Sequence, residues 1–168
     1  PDTKKLVSGD LLSIDVGVEL DGFIGDTADT IIIGEPNCLI INECRRSLEL
    51  SIKKAVEGNL LSDISYTIYN IAISNGFNVP SCYGGHGINR YLLHTSPFVP
   101  NRPDFNDDIT LRKGMIFAIE PMFIDSIFTK TKVASDGWSV ISSGLSTHCE
   151  HTILVTDSDP IVLTRRAD

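Results

Sequence analysis

Residues 11–33 read LLSIDVGVELDGFIGDTADTIII and carry the clearest structural signal in the chain. Two stretches rich in apolar and β-branched residues flank the dipeptide Asp21-Gly22, which favours a two-residue hairpin turn. The pattern therefore predicts an antiparallel hairpin, with one strand over 11–18 and its return strand over 23–33.

Beyond this hairpin the pattern changes to helical spacing and then back to strands. Apolar residues recur at helical spacing over 38–57 and 62–75, which predicts two helices that end before Gly58 and Gly76. Three prolines predict an extended loop over 95–107. Further strands are predicted over 114–123, 138–141, 148–156 and 161–164.

This order of elements predicts a single domain over residues 1–168. Two strands, two helices and then several strands indicate the α+β class, with the helices packed on one face of an antiparallel sheet. The chain begins with Pro1 rather than methionine. We therefore expect it to be part of a longer protein whose N-terminal segment is missing here.

Composition excludes some classes of function. The net charge is −8 and is spread along the chain, which argues against a surface for nucleic-acid phosphates. No apolar run reaches the roughly 18 residues that a membrane-spanning helix needs, and no signal peptide opens the chain. The four cysteines form no C-x-x-C pair, so free thiols in a reducing compartment are expected.

Four acidic residues occupy positions inside or beside strand-like apolar stretches. They are Asp15, Asp26, Glu120 and Glu150. Burying a lone carboxylate costs several kcal/mol, so buried acids are normally paired or bound to metal. Few lysines or arginines lie near them in the sequence. His86, between two glycines, offers a neutral imidazole, and two divalent cations would balance four carboxylates.

Taken singly, each of these residues has an ordinary structural explanation. Asp15 could be a solvated residue near a turn, Glu120 could lie on an exposed edge, and His86 could be structural. Asp15 and Asp26, on the two arms of the hairpin, could also face each other. The joint arrangement predicts a carboxylate-rich metal site.

Five short segments resemble, in order and spacing, the signature of type 1 methionine aminopeptidases. They are Ile14-Asp15-Val16-Gly17, Gly25-Asp26-Thr27, Gly85-His86-Gly87-Ile88, Ile119-Glu120-Pro121 and Cys149-Glu150-His151-Thr152. The match runs along the whole chain, and the interval from His86 to Glu120 is too short for the inserted helical subdomain of type 2 enzymes.

The resemblance implies the pita-bread fold that these enzymes share with creatinases, prolidases and aminopeptidase P. It implies removal of the initiator methionine by a hydroxide that bridges two divalent ions. Oxygen-rich ligation with one histidine suits cobalt, manganese, iron or zinc, and the sequence does not identify which of them is native. The metal ligands that it implies are Asp15, Asp26, His86, Glu120 and Glu150. Of these, Asp26 and Glu150 would bridge the ions, Asp15 would serve one ion, and His86 and Glu120 the other.

The resemblance also implies roles in catalysis and substrate binding. Glu120 would transfer the proton of the attacking water, and His94 matches a histidine that contacts the substrate. Trp138 matches a tryptophan near the methionine pocket. The chain departs from the family pattern by one extra residue between His86 and His94, and by His148 where glutamine is usual.

Three alternatives stay open at this point. The chain could be a prolidase or aminopeptidase P-like enzyme, or a non-catalytic pita-bread module that binds protein or RNA. It could also be inactive by itself, because the family's substrate-binding histidine would lie upstream of Pro1. The expected substrate is the N-terminal methionine of nascent polypeptides, and the expected state is a cytoplasmic monomer. An organellar location, and ribosome association through an upstream segment, are open alternatives.

Overall fold

The computed structural model describes Thr3 and residues 5–35, 37–104, 106 and 108–165. Its two helices are α1 (Leu39–Ile52) and α2 (Leu61–Ser74). Its strands are β1 (Leu11–Leu20), β2 (Phe23–Ile32), β3 (Gly84–Asn89), β4 (Leu92–Pro100), β5 (Ile116–Ile119), β6 (Met122–Ile124), β7 (Lys132–Val133), β8 (Val140–Ile141), β9 (Ser146–His148), β10 (His151–Leu154) and β11 (Ile161–Val162).

The predicted hairpin is confirmed. Strands β1 and β2 pair in antiparallel fashion, with Leu20 opposite Phe23 across a two-residue turn. Asp21 and Gly22 both have positive φ angles, 52° and 83°. These angles match the tight turn whose twist fits paired strands, and aspartate and glycine adopt them more readily than most residues.

The register of the hairpin places its two acids diagonally rather than directly opposite each other. Asp15 pairs with Ala28, and Asp26 pairs with Gly17. Since residues two apart on a strand share a face, both carboxylates still project to the same side of the hairpin.

A five-stranded antiparallel sheet in the order β11-β10-β5-β3-β4 forms the centre of the fold. One hydrophobic core joins helix residues such as Leu48 and Ile64 to Phe117, Ile119 and Ile153 of the sheet. The helices therefore cover one face of the sheet, as predicted. On β5 and β10, the residues that alternate with these core residues point to the other face of the sheet.

The first helix is shorter than predicted, because it ends at Ile52 and not near Gly58. The residues that follow form other bonds: Val56 makes an isolated bridge with Thr156, and the amide of Gly58 donates to the carbonyl of Leu111. These tertiary pairings replace further helical turns. The second helix agrees with the prediction to within one residue at each end.

The predicted loop over 95–107 is wrong in its first half. Residues 95–100 belong to strand β4, which lies at the edge of the sheet. Proline cannot donate a backbone hydrogen bond, so edge strands tolerate it where central strands do not. Pro97 and Pro100 are therefore compatible with this strand.

No helix in the part of the chain that the structure describes is long and apolar enough to span a membrane.

Close approach of the backbones at strand β3 requires glycine. A Cβ atom at position 85 would lie 2.1 Å from the carbonyl oxygen of Ala118 on β5. We expect Gly85→Ala to destabilise the chain by about 1–3 kcal/mol, the usual range for overpacking. Gly25→Ala is the matched control, since a Cβ there would meet nothing nearer than 3.5 Å. Urea unfolding of both variants measures the difference, and equal midpoints would contradict this explanation.

Candidate metal centre

Two glutamates face each other where four strands are interrupted. Strands β5 and β10 pair in a register that resumes, beyond a short gap, between β6 and β9. Glu120 lies in the gap on one side, just before Pro121, and Glu150 lies across from it on the other. Both side chains are buried, at 8% and 2% exposure. The two predicted long strands, 114–123 and 148–156, are each broken at their acidic residue.

Asp26 reaches this gap because the β1–β2 hairpin is hydrogen-bonded alongside β10. The buried hydroxyl of Thr152 donates to the carbonyl of Asp26 at 2.8 Å and accepts from its amide at 2.9 Å. One residue before β10, the amide of Glu150 donates to the carbonyl of Ala28 at 2.8 Å. These bonds fix Asp26 beside Glu150 on the sheet face opposite the helices.

The imidazole of His86 completes this group. Its Nδ1 lies 3.2 Å from the carbonyl of Gly87. A proton on Nδ1 would leave the Nε2 lone pair free, and Nε2 lies 3.6 Å from Asp26 Oδ2 and 3.7 Å from Glu120 Oε1. A backbone carbonyl on one ring nitrogen is the usual support for a histidine that binds metal through the other.

Donor atoms converge in two overlapping groups. Asp26, His86 and Glu150 form one group, and Asp15, His148 and Glu150 form the other. Within each group the donor atoms all lie within 4.8 Å of one another. Glu150 belongs to both groups, so its carboxylate is shared between them. Asp15 is more exposed than the other acids, at the open side of the centre.

Electrostatics at the centre show a deficit of positive charge. Burial, together with Glu120, Asp26 and Asp15, raises the pKa of Glu150 to about 9. Its Oε1 atom is buried and has no hydrogen-bond partner among the residues that the structure describes. Among the described residues, no lysine or arginine forms an ion pair with any of the four acids. A buried, unpartnered carboxylate among other acids fits a site for divalent cations.

The pKa values of the neighbouring groups shift in the directions that their contacts predict. Interaction with the His86 imidazole lowers the pKa of Asp26 despite its burial. Burial alone would lower the pKa of His86, but Asp26, the Gly87 carbonyl and Glu120 outweigh it and raise the pKa. Partial burial raises the pKa of Asp15, although His148 opposes this.

Two clefts open on either side of Glu120. The first, of about 430 Å³, is lined by His86, His94, Phe98 and Met122, among others. The second, of about 290 Å³, lies on the Asp15 side. The ring centroids of His94 and His86 are 4.2 Å apart. The pairing of β3 with β4 shifts register twice between His86 and Asn89, and His94 lies beside His86 at the centre.

Trp138 is not brought to the centre. It lies between β7 and β8, is 87% exposed and lines neither cleft. Its amide donates to the side chain of Asp136 at 2.9 Å, within a local turn. Its part in substrate binding stays a prediction.

His148 is a member of the centre that the sequence analysis did not assign as a ligand. The signal was present, because residues two apart on a strand share a face and His148 precedes Glu150 by two. Its Nε2 lies 3.3 Å from Glu120 Oε2 and 3.9 Å from Glu150 Oε2.

Comparisons with known proteins agree with this geometry. The sequence profile of metallopeptidase family M24 matches residues 1–157. A methionine aminopeptidase from Aquifex aeolicus is 38% identical over 169 residues, which cover 96% of this chain and 64% of that protein. The chain thus spans less than two thirds of that relative's length.

Solved structures show the same fold. A methionine aminopeptidase from Rickettsia prowazekii superposes with a TM-score of 0.91 at 33% identity, covering 98% of this chain and 68% of that one. A prolidase from Pyrococcus furiosus superposes with a TM-score of 0.76 at 21% identity, covering 99% of this chain and 44% of that one. The second likeness establishes the shared pita-bread fold alone.

The raised pKa of Glu150 predicts how stability depends on pH when metal is removed. The folded chain holds this proton up to pH about 9, whereas the unfolded chain releases it near 4.5. Its contribution to stability is therefore complete below pH 4.5 and is lost as pH rises towards 9, by up to about 1.4 kcal/mol per pH unit. Urea unfolding with a chelator at pH 5, 7 and 9 measures this slope.

The matched variant is Glu150→Gln, which keeps the shape of the side chain and cannot ionise. We expect the free energy of unfolding of this variant to fall less steeply over the same pH range. The difference in slope should be up to about 1.4 kcal/mol per pH unit, which corresponds to one proton. Identical slopes in the two proteins would show that Glu150 does not carry a raised pKa.

Proposed function

The chain belongs to metallopeptidase family M24, and on that premise we propose that it is a metalloaminopeptidase that removes the N-terminal methionine from newly made polypeptides. The supporting observation is the convergence of Asp26, His86, Glu120 and Glu150 at the gap between the strands. The relative from Aquifex aeolicus and the structure from Rickettsia prowazekii are both named methionine aminopeptidase.

We propose that this centre holds two divalent ions. Asp26 and Glu150 would join the ions, Asp15 would bind one, and His86 and Glu120 the other. Carboxylates with imidazole suit manganese, iron, cobalt or zinc. Such ions, when bound, activate water as a nucleophile and polarise the scissile carbonyl.

We propose that Glu120 moves the proton of the reaction. Its carboxylate lies between His86 and His148, with one oxygen facing each ring. In the proposed reaction Glu120 accepts the proton of the attacking water and returns it to the nitrogen of the leaving amine. A carboxylate that does both must lie at the reacting bond, and Glu120 lines both clefts.

His94 and the first cleft provide contacts for the substrate. The exposed imidazole of His94, beside His86, can donate a hydrogen bond to a peptide carbonyl that reaches the centre. Phe98 and Met122 give the same cleft apolar walls. A thioether side chain is flexible and polarisable, so such a cleft suits an N-terminal methionine.

Several further features belong to this proposal. We propose that the chain acts as one catalytic unit that carries the metal-binding part of the pita-bread fold, as a monomer in the cytoplasm. All four cysteines are free thiols, which supports a reducing compartment. Nascent polypeptides are the proposed partners, and ribosome association is proposed only for a longer form of the protein.

The rival functions predict different behaviour of the same centre. A prolidase-like enzyme would prefer peptides with proline in second position, and the likeness to a prolidase is of fold alone. A non-catalytic binding module would have no need for metal. The chain retains all five predicted ligands, which favours an enzyme. Four of them lie at the strand gap, and Asp15 lies beside it.

Hydrolysis of short peptides tests the proposed activity. With manganese or cobalt added, we expect the chain to release methionine from Met-Ala-Ser faster than it cleaves peptides of the X-Pro type. Glu120→Gln should lower kcat by about 10²–10⁴-fold, since it removes the proton acceptor. Glu49→Gln is the control, because this exposed acid pairs with Arg165 at the surface and lies outside both donor groups.

Three outcomes would contradict the proposal. Preference for X-Pro peptides would indicate the prolidase-like alternative. Methionine release that survives Glu120→Gln would remove Glu120 from the reaction. Absence of bound divalent ions in elemental analysis of the purified chain, after incubation with metal, would favour the binding module.

A further inference from the structure

We propose that His148 is a sixth metal ligand, and that it binds the same ion as Asp15 and Glu150. Each of the two ions would then have one imidazole, His148 on one side and His86 on the other. This inference rests on the proposed two-ion centre and adds a ligand to it.

The position of the His148 ring fits a shared ion. Its Nε2 lies 3.9 Å from Glu150 Oε2, and all donor atoms of the Asp15, His148 and Glu150 group lie within 4.8 Å of one another. Donors about 2.0–2.2 Å from one ion are separated by roughly 3–4.4 Å, depending on the angle between them. Only small side-chain movements would therefore bring the three donors onto one ion.

The Nε2 atom of His148 is also free for such a bond. It is buried and makes no hydrogen bond, although Glu120 Oε2 is only 3.3 Å away. The Oε1 atom of Glu150 is likewise buried and unpartnered, on a side chain that is 98% buried. Two buried polar atoms on neighbouring side chains of the centre therefore lack a hydrogen-bond partner among the described residues, and a bound cation would supply one.

The backbone of His148 is held as rigidly as that of Asp26. The buried hydroxyl of Thr30 donates to the His148 carbonyl at 2.7 Å and accepts from its amide at 2.9 Å. Since the single Thr30 proton is used there, Ser13 must donate the 2.7 Å bond between the two hydroxyls. This arrangement repeats the one that Thr152 makes with Asp26.

The competing explanation is that His148 only pairs with Glu120. A protonated imidazole would then neutralise part of the negative charge and repel a cation from the Asp15 side. The two explanations differ in what happens to metal binding when the ring is replaced. Glutamine can still hydrogen-bond to Glu120, but an amide oxygen is a harder and weaker ligand than imidazole for cobalt or zinc.

Isothermal titration of the metal-free chain with Co²⁺ and with Mn²⁺ tests the proposal, using His148→Gln. We expect one of the two binding steps to weaken by about 10–100-fold while the other stays unchanged. The loss should be larger for Co²⁺ than for Mn²⁺, because imidazole favours the former. His151→Gln is the matched control, since the ring of His151 contacts Thr164 and belongs to neither donor group.

Unchanged binding of both ions in His148→Gln, or equal weakening of both steps, would overturn the inference. If the unaltered chain binds no divalent ion, the proposed metal centre itself fails. X-ray absorption at the cobalt edge of the unaltered chain gives a check that needs no variant. It should show about one imidazole per ion on average if His148 binds, and about half of one if only His86 does.

Discussion

The candidate metal centre is organised around a buried carboxylate that has no lysine or arginine partner among the described residues. Glu150 is 2% exposed and lies among three other acids. The ion pairs of the described lysines and arginines all lie outside this centre. Left ionised and alone, such a group would cost several kcal/mol, so without metal it is kept protonated up to pH about 9. Divalent cations, when bound, would resolve the conflict between burial and charge, and they would supply the chemistry of a metallopeptidase.

The surrounding structure brings these acids together at a defect in its own sheet. The strands on both sides of Glu120 and Glu150 stop and resume in one register, which frees the two side chains from regular pairing. Two buried threonines, Thr152 and Thr30, then attach the hairpin to this gap, because each side-chain hydroxyl bonds to both the amide and the carbonyl of one residue across the contact. Helix packing on the opposite face stabilises the sheet without entering the site.

Part of the fold and of the metal centre could be predicted from the sequence, because it depends on short-range patterns of residues. The Asp21-Gly22 turn fixed the hairpin and hence the common face of its two acids, and acids inside apolar strands indicated metal. The end of the first helix was not predictable, because distant bridges between Val56 and Thr156 compete with further turns. Strand β4 was missed because its prolines are tolerated only at a sheet edge, which sequence does not reveal.

The five ligands carried over from the family signature stay a prediction that the geometry supports. Trp138 is exposed and lines neither cleft, and no local pattern indicates where an exposed loop will lie. Anomalous diffraction from crystals soaked in Mn²⁺ is the most direct test of the account. We predict two peaks about 3.5–4 Å apart, joined by Glu150 and Asp26. No peak there, or peaks only at surface acids, would contradict it.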